Sequence, residues 1–425
     1  MIKIYALVLS IASLAYSLPT PDDLLAPIKR AVDIPGALAP NPQAYVVAFK
    51  PNTVDPTGRG EWLNNVLSTR GHRRRDLSSS DLKLNWNETV YNGLAGTFSD
   101  AEIRTLRRQN EVKYIQHDTL LHTNELVVQT NAVWGIARLS SGGNPIPFGS
   151  DPSTFSFSYT FDSSGGNGVD IYVLDTGVRA THQDFGGRVN FLQTFGSGTP
   201  GVDVNGHGSH VSGTAIGSVF GVAKSATVQM IKCMADDGSG FTSDIVSAIN
   251  LAANTAATSG RPSVVSMSLG GPANDAIDDA VINAVNLQIP FVVAAGNNGA
   301  DASTSSPARL GGSAGNPGVI TVGATTIDDT FATFSNTGSN VDVLAPGQDI
   351  LSCGITDDAA VKNLSGTSMS TPHVAGLAAL IMGLEGKISP TALKQKIIAQ
   401  SALGVISGLP VTTVNTLANN GATVV

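Results

Sequence analysis

Cysteine is scarce in this chain of 425 residues, which contains only Cys233 and Cys353. Two cysteines cannot build the disulfide framework that small secreted domains need, and neither lies in a Cys-x-x-Cys or other metal-binding spacing. They either pair with each other or pack as two buried thiols, so the sequence assigns them no chemistry. A chain of this length can bury a sizeable core and form more than one folding unit without a disulfide.

Long apolar runs are also missing, since a membrane-spanning helix needs roughly 18 or more consecutive apolar residues. The one candidate, residues 4–14, is shorter, follows Lys3 and precedes the small-x-small sequence Ala15-Tyr16-Ser17. This arrangement is typical of a signal peptide, which we place over residues 1–17. We therefore expect a secreted, extracellular protein without a membrane anchor.

Basic residues are few in the C-terminal part of the chain. Residues 127–425 contain 11 lysines and arginines against 20 aspartates and glutamates, and no basic stripe. This balance argues against binding to nucleic acid or to an anionic membrane. Residues 18–126, by contrast, carry 13 basic and 13 acidic residues. The shift predicts two domains, an N-terminal one over 18–126 and a larger one over 127–425.

The N-terminal part shows the pattern of a small α+β domain at about residues 45–118. YVVAFK at 45–50 and VKYI at 112–115 are rich in β-branched residues and predict strands. Between them, Ser99 and Glu102 have the spacing of a capping box and predict the start of a helix.

The C-terminal part alternates short apolar runs with helical patterns. The runs have no polar face, as in strands that are buried on both sides. Such alternation predicts an α/β fold with a doubly wound, mainly parallel sheet flanked by helices, and ligands bind such sheets at the carboxyl ends of the strands. The predicted strands are 169–174, 264–269, 291–295 and 319–324, and the predicted helices are 242–256, 276–286 and a long one that starts near Ser368.

Three residues gain a chemical meaning when they are taken together. Asp175 follows the predicted strand 169–174, His207 lies between glycines in NGHGSH, and Ser368 lies in GTSMSTPHVAG at the start of an apolar helix. Each alone has an ordinary structural explanation, as a capping residue or a loop residue. Together they can form a catalytic triad, because a serine hydroxyl needs a histidine to take its proton and the histidine needs a buried carboxylate.

The order Asp, His, Ser along the chain is that of subtilisin, and it differs from the orders in chymotrypsin and in α/β-hydrolases. The G-x-S-x-G sequence of lipases and esterases is missing around Ser368, since the fifth residue is Ser370. Asn297, in FVVAAGNNGA, ends another predicted strand. Its amide can donate to the oxyanion that forms when Ser368 attacks a carbonyl group, with the backbone N–H of Ser368 as a second donor.

The motifs around Asp175, His207, Asn297 and Ser368 resemble those of the subtilases, in particular the proteinase K branch, over about residues 127–417. The segment YNGLAGTFSDAEIRTLRRQNEVKYIQHD resembles the inhibitor-like propeptide of that family. The resemblance implies a secreted serine endopeptidase that is made as a zymogen and processes itself between about residues 123 and 127. It also implies that the propeptide acts as an intramolecular chaperone and inhibitor, and that protein and peptide substrates are the other partners.

The resemblance further implies a substrate cleft. The segment SMSLGG would be the strand that lines the S1 pocket, and GSGF would form the opposite edge of the S4 region. Because the peptide would bind mainly through its backbone, specificity should be broad, and the lack of charge in these segments favours an apolar or aromatic P1 residue. The implied substrate-binding residues are Gly238, Ser239, Gly240, Phe241, Ser266, Ser268, Leu269 and Gly270.

The family also implies a structural calcium ion, held by the carbonyl oxygens of Pro317 and Val319 and the carboxylate of Asp342. No organic cofactor is expected, and we expect a monomer. Asn87 and Asn363 lie in N-x-S/T sequences, of which Asn363 is close to the nucleophile in sequence and a doubtful acceptor for a glycan. Residues 144–162, rich in Pro, Ser and Phe, are predicted to form a surface loop.

Two other functions remain open from sequence alone. A degenerate subtilase that binds or inhibits would normally lack a member of the triad or the oxyanion asparagine, and none is missing here. An esterase is disfavoured by the triad order and by the absence of G-x-S-x-G. Rates on peptide and ester substrates would separate the two hydrolase classes.

Overall fold

The computed structural model describes residue 25 and residues 28–29, 44–68, 82–87, 91–118 and 125–422. The signal peptide predicted over residues 1–17 lies outside the described residues. The described chain separates into two compact units, of which the first ends at residue 118 and the second begins at residue 125. Each unit has its own hydrophobic core.

The first unit is built on a five-stranded sheet with the order β1-β5-β2-β4-β3, in which β2 is central and antiparallel to both β4 and β5. The predicted capping box is present: Glu102 Oε2 accepts from the backbone N–H of Ser99 at 2.7 Å, and Ser99 Oγ accepts from that of Glu102 at 3.4 Å. The elements are β1 (Ile28–Lys29), β2 (Ala44–Phe49), α1 (Arg59–Ser68), β3 (Leu82–Asn87), β4 (Asn92–Thr97), α2 (Asp100–Leu106) and β5 (Val112–His117).

The second unit is built on a nine-stranded sheet with the order β19-β20-β16-β15-β13-β11-β8-β10-β9. Every neighbouring pair from β20 to β9 is parallel, and only β19 pairs antiparallel. The elements are β6 (Leu126–Ala132), α3 (Trp134–Arg138), β7 (Phe157–Asp162), β8 (Asp170–Asp175), β9 (Val189–Thr194), α4 (His207–Ile216), β10 (Thr227–Lys232), α5 (Thr242–Ser259), β11 (Ser263–Met267), β12 (Gly271–Pro272), α6 (Asp275–Asn286), β13 (Phe291–Ala294), β14 (Ser305–Ser306), β15 (Val319–Thr325), β16 (Val343–Pro346), β17 (Ile350–Cys353), β18 (Val361–Leu364), α7 (Thr367–Glu385), α8 (Pro390–Gln400), β19 (Ala402–Leu403) and β20 (Thr416–Leu417).

Helices cover both faces of this sheet, as the apolar runs predicted. Successive side chains of a strand point to opposite faces. Accordingly, Ile171 and Val173 of β8 join the core that contains α4 and α7, whereas Tyr172 and Leu174 join the core that contains α5 and α6. The fold is therefore the predicted doubly wound α/β architecture.

Helix α7 runs through one of these cores and is buried along most of its length. It packs against α4 and against strands β8, β11, β13, β15 and β16. A helix that is apolar on all sides has to be enclosed in this way. Of the described helices, none is both long and apolar enough to cross a membrane.

The prediction of a surface loop over residues 144–162 is wrong for the last part of this segment. Residues 157–162 form β7, which pairs antiparallel with β6. Tyr159 is fully buried, and its hydroxyl donates to the carbonyl of Val222 at 3.0 Å. Phe157, Tyr159 and Phe161 therefore belong to the core, although the composition rich in Pro and Ser predicted a surface loop.

Candidate active site

Asp175 is the last residue of β8, a central strand of the large sheet, and its side chain is 1% exposed. The Nδ1 atom of His207 lies 2.8 Å from Asp175 Oδ1 and 3.0 Å from Oδ2. Because a carboxylate can only accept, Nδ1 carries the hydrogen, and Nε2 is left free to take a proton. The pair therefore has the tautomer that a general base requires.

His207 is the first residue of α4, a helix that the glycine-rich sequence did not reveal. Gly206, which caps this helix, has φ of +92°, a conformation that favours glycine. A β-carbon at Gly208 would lie 2.0 Å from the carbonyl oxygen of Gly177. Both glycines are thus needed to bring the start of α4 against the end of β8.

Asp203 holds this helix start in place, and sequence reasoning missed it. Its carboxylate accepts from the backbone N–H of Gly206 and of Ser209, each at 2.8 Å, and from the hydroxyl of Thr176 at 2.9 Å. The Thr176 hydroxyl oxygen in turn accepts from the N–H of Gly208 at 2.9 Å. An aspartate four residues before His207 was the available signal, because such a residue commonly caps the following backbone.

The environment of His207 sets its pKa. Burial opposes the charged imidazolium and by itself lowers the pKa, but the charge and hydrogen bond of Asp175 and the charge of Asp203 outweigh it. The charge of Lys362 also lowers the pKa, but the net result is a pKa of His207 above the ordinary value. The imidazolium is therefore stabilised in this site, as a base that accepts a proton from serine needs.

Two other histidines nearby have different surroundings. Burial lowers the pKa of His210 to about 3 and that of His373 to about 4, although each has a ring nitrogen within 2.9 Å of a backbone carbonyl oxygen. Both stay neutral at physiological pH. Of these three histidines, only His207 has a carboxylate partner.

Ser368 is the second residue of α7, and its carbonyl has an unusual partner. In a regular helix this carbonyl would accept from the N–H of residue 372, but Pro372 has none. The hydroxyl of Ser268 donates to it instead, at 2.8 Å. The Ser368 hydroxyl donates to the carbonyl of Ser268 at 3.1 Å. The residue that follows strand β11 and the start of helix α7 are thus joined by two reciprocal bonds.

Asn297 lies in the loop after β13 and faces the same serine. Its Oδ1 accepts from the backbone N–H of Thr367 at 2.7 Å and from the Thr367 hydroxyl at 2.8 Å. This fixes the amide, because Oδ1 must be the acceptor, and it leaves Nδ2 as a free donor for a ligand. A β-carbon on Gly366 would lie 3.4 Å from Nδ2 and 3.7 Å from the Ser368 nitrogen, so both donors lie beside one point.

A cavity of about 340 Å³ opens at this position, and none of its lining residues is charged. Both Asn297 and Ser368 line it, together with the predicted substrate-binding residues Leu269 and Gly270. Ser268 adjoins it through its bonds to Ser368. The full lining is Leu269, Gly270, Gly271, Pro272, Ala294, Ala295, Gly296, Asn297, Asn298, Thr304, Ser305, Ser306, Ala308, Thr367 and Ser368.

The other predicted substrate residues lie elsewhere. Ser266 is inside β11, buried, with no hydrogen-bond partner for its hydroxyl. Residues 238–241 form a separate loop before α5, where the Phe241 side chain is 73% exposed. A β-carbon on Gly238 would lie 3.3 Å from Nδ2 of Asn205, two residues before His207. This loop therefore borders the histidine side of the site and does not line the cavity.

The residues predicted to hold calcium do not fit a metal ion. The carboxylate of Asp342 and the carbonyl of Val319 do converge, but on the ammonium group of Lys394, at 2.7 and 2.9 Å. Pro317 is exposed. Among the described residues there is also no group of three or more His, Cys, Asp and Glu side chains that could hold a metal.

The remaining sequence features have structural explanations. Cys233 and Cys353 are both free and buried, and burial raises the pKa of each thiol, so neither is a reactive thiolate. Asn87 ends β3. Asn363 lies exposed in β18, opposite Leu351 of β17.

Comparison with known families agrees with this architecture. Residues 166–422 match the family described as the subtilase family, and residues 44–124 match that of peptidase inhibitor I9. The chain therefore belongs to the subtilase family of serine proteases and carries an I9-type propeptide region before its protease domain.

Individual relatives support the same class. The chain is 38% identical to alkaline protease 1 of Emericella nidulans, over 90% of this chain and 92% of that protein. It is 38% identical to a cuticle-degrading protease of Metarhizium anisopliae, over 79% of this chain and 82% of that protein. A crystal structure of a cold-adapted subtilisin-like serine proteinase matches with a TM-score of 0.60 and 38% identity, covering 68% of this chain and 98% of that one.

Proposed function

We propose that this subtilase is a secreted endopeptidase of broad specificity in which Asp175, His207 and Ser368 form the catalytic triad. The observation that carries the proposal is the meeting of three elements: β8 ends at Asp175, α4 begins at His207, α7 begins next to Ser368, and all three pack against one another. The Asp175–His207 bond and the uncharged cavity beside Ser368 and Asn297 supply the base, the nucleophile and the oxyanion donor.

The mechanism follows from these groups. The Ser368 hydroxyl leaves the carbonyl of Ser268 by rotation of its side chain and transfers its proton to Nε2 of His207 as Oγ attacks the peptide carbonyl carbon. Nδ2 of Asn297 and the Ser368 N–H donate to the resulting oxyanion, and Asp175 stabilises the imidazolium. His207 then gives its proton to the leaving amine, and an acyl-enzyme remains. Water, activated by His207, hydrolyses it and restores the serine.

The triad is tested by Ser368→Ala, which should lower the peptidase rate by about 10⁴-fold or more and leave the chain unprocessed. Ser365→Ala is a matched control, because Ser365 is an exposed serine three residues earlier on the same chain segment. Activity on a peptide substrate and the mass of the product are measured for both. Self-processing by purified Ser368→Ala would contradict the assignment.

The specificity is part of the same proposal. Because no charged residue lines the cavity, a charged P1 side chain would be desolvated there without a partner, whereas an apolar or aromatic one would gain from burial. We expect a peptide library to show cleavage after apolar and aromatic residues, with kcat/KM for lysine or aspartate at P1 lower by about 100-fold. Equal rates for charged and apolar P1 residues would contradict this.

We further propose that residues 1–17 are removed as a signal peptide and 18–126 as an inhibitory and folding-assisting propeptide, so that residues 127–425 form a monomeric mature enzyme. The match of residues 44–124 to an inhibitor family supports this order of events. Sequencing the N-terminus of the secreted form would test the boundary. Calcium at Pro317, Val319 and Asp342 is not part of the proposal, because Lys394 already binds two of these groups.

A further inference from the structure

A positively charged side chain lies at the amino end of the large sheet, next to the first residue of β15 and the residue that precedes β16. Lys394, on α8, extends to Asp342, the residue before β16, and to Val319, the first residue of β15. Its side chain is 9% exposed and that of Asp342 is 3% exposed. Burial of this kind is rare for lysine unless the charge is paired.

The ammonium group is fully satisfied there. Its three N–H groups have three oxygen partners: Asp342 Oδ1 at 2.7 Å, the carbonyl of Val319 at 2.9 Å and the carbonyl of Gly312 at 3.1 Å. These are ordinary lengths for hydrogen bonds from an ammonium nitrogen to oxygen.

The carboxylate is equally well held from its other side. Asp342 Oδ1 accepts from the N–H of Gly312 at 3.0 Å, and Oδ2 accepts from the N–H of Thr321 at 2.9 Å. One acidic and one basic side chain, both bonded to the loop at Gly312 and to strand β15, thus join these segments at the amino end of the sheet. A divalent cation would have to displace the ammonium and find several further oxygen ligands.

The position of Lys394 is fixed by its helix. Ser389 caps α8 through its hydroxyl, Pro390 is its first residue, and the neighbours Leu393 and Ile397 are fully buried. Lys396 of the same helix is, by contrast, a surface lysine: its side chain is 46% exposed and pairs with Glu385.

We infer that the Lys394 ammonium takes the place of a calcium ion at this site. Its bonds join α8, β15 and Asp342, so that this part of the fold is stable without a metal ion. Removing its charge frees the Asp342 carboxylate and the Val319 carbonyl. Those oxygens and the carbonyl of Gly312 are then open to a calcium ion, which would complete its coordination with water.

The test is the melting temperature of the mature protein, inhibited with a sulfonyl fluoride, in a chelator and in excess calcium. Lys394→Met keeps the apolar stem but removes the charge. In the chelator it should melt about 10 °C below the wild type, because it leaves a buried carboxylate unpaired. The gain in melting temperature from calcium should be larger for Lys394→Met than for the wild type, and the double variant Lys394→Met/Asp342→Asn should lose that additional gain.

Lys396→Met is the matched control and should behave as the wild type in both solutions. The inference is overturned if calcium raises the melting temperature of Lys394→Met no more than that of the wild type. It is also overturned if Asp342→Asn alone abolishes a calcium-dependent gain of the wild type, since calcium would then bind Asp342 in the native protein.

If Lys394→Met does not fold, the wild-type protein decides the question. A crystal grown in excess calcium should show the ammonium group, with no metal, at Asp342. A metal ion bound to Asp342 Oδ1 there would overturn the inference.

Discussion

Two buried aspartates lie at opposite ends of one sheet and pair with different kinds of side chain. Asp175 lies at the carboxyl end of β8 and pairs with an imidazole whose side chain is 27% exposed, whereas Asp342 lies at the amino end of β16 and pairs with a lysine that is 9% exposed. In open α/β sheets, ligands bind at the carboxyl ends of strands. In the proposed mechanism the first carboxylate faces a partner that gains and loses a proton, whereas the second faces a side chain that is enclosed in the protein.

The strongest test of this comparison exchanges each aspartate for asparagine. Asp175→Asn should lower kcat about 10⁴-fold, because the wrong histidine tautomer is then favoured. Its melting temperature should change less than that of Asp342→Asn. Asp342→Asn should lower the melting temperature by about 10 °C and leave kcat/KM of the folded enzyme unchanged, because it deprives a buried ammonium of its counter-charge. Peptide kinetics and thermal denaturation of both variants measure the two effects. A large loss of kcat in Asp342→Asn would break the comparison.

A smaller effect is expected at the bond between Ser268, which follows β11, and Ser368 of α7. Ser268→Ala leaves the Ser368 carbonyl without a donor, because Pro372 cannot supply an N–H, and should lower kcat about tenfold. Adding Pro372→Ala restores a backbone N–H at that position. The double variant should therefore recover part of the lost rate, as measured with one peptide substrate. A double variant slower than Ser268→Ala would contradict this account.

The smallest effect concerns the pH dependence of the proposed catalytic pair, Asp175 and His207. Because the pKa of His207 is raised, the neutral base and hence kcat/KM should be lost as pH falls through a value above the ordinary histidine pKa. Asp203→Asn removes a charge that raises this pKa and should move the acid limb to lower pH. Lys362→Gln removes one that lowers it and should move the limb to higher pH, by about a few tenths of a unit. Shifts of the two variants in the same direction would contradict the assignment.

Much of the fold could be predicted because the relevant signals are local. The runs that form β8, β11, β13 and β15 have no polar face, and this pattern is typical of strands that are buried between two helical layers. Helix α4 was missed because its glycines give it a low intrinsic propensity, and its stability comes from packing against α7, β8 and β17. Strand β7 was missed because its neighbours in sequence are typical of a loop.

The class of protein and the members and order of the candidate triad could be predicted from the sequence, because each of these residues lies in a short, specific motif. The cation at Asp342 and the donor to the carbonyl of Ser368 could be identified only after folding. Lys394 bonds a carbonyl 75 residues away, and Ser268 bonds one 100 residues away. Contacts over such separations leave no periodic or local pattern, since they depend on where helices and strands meet after folding.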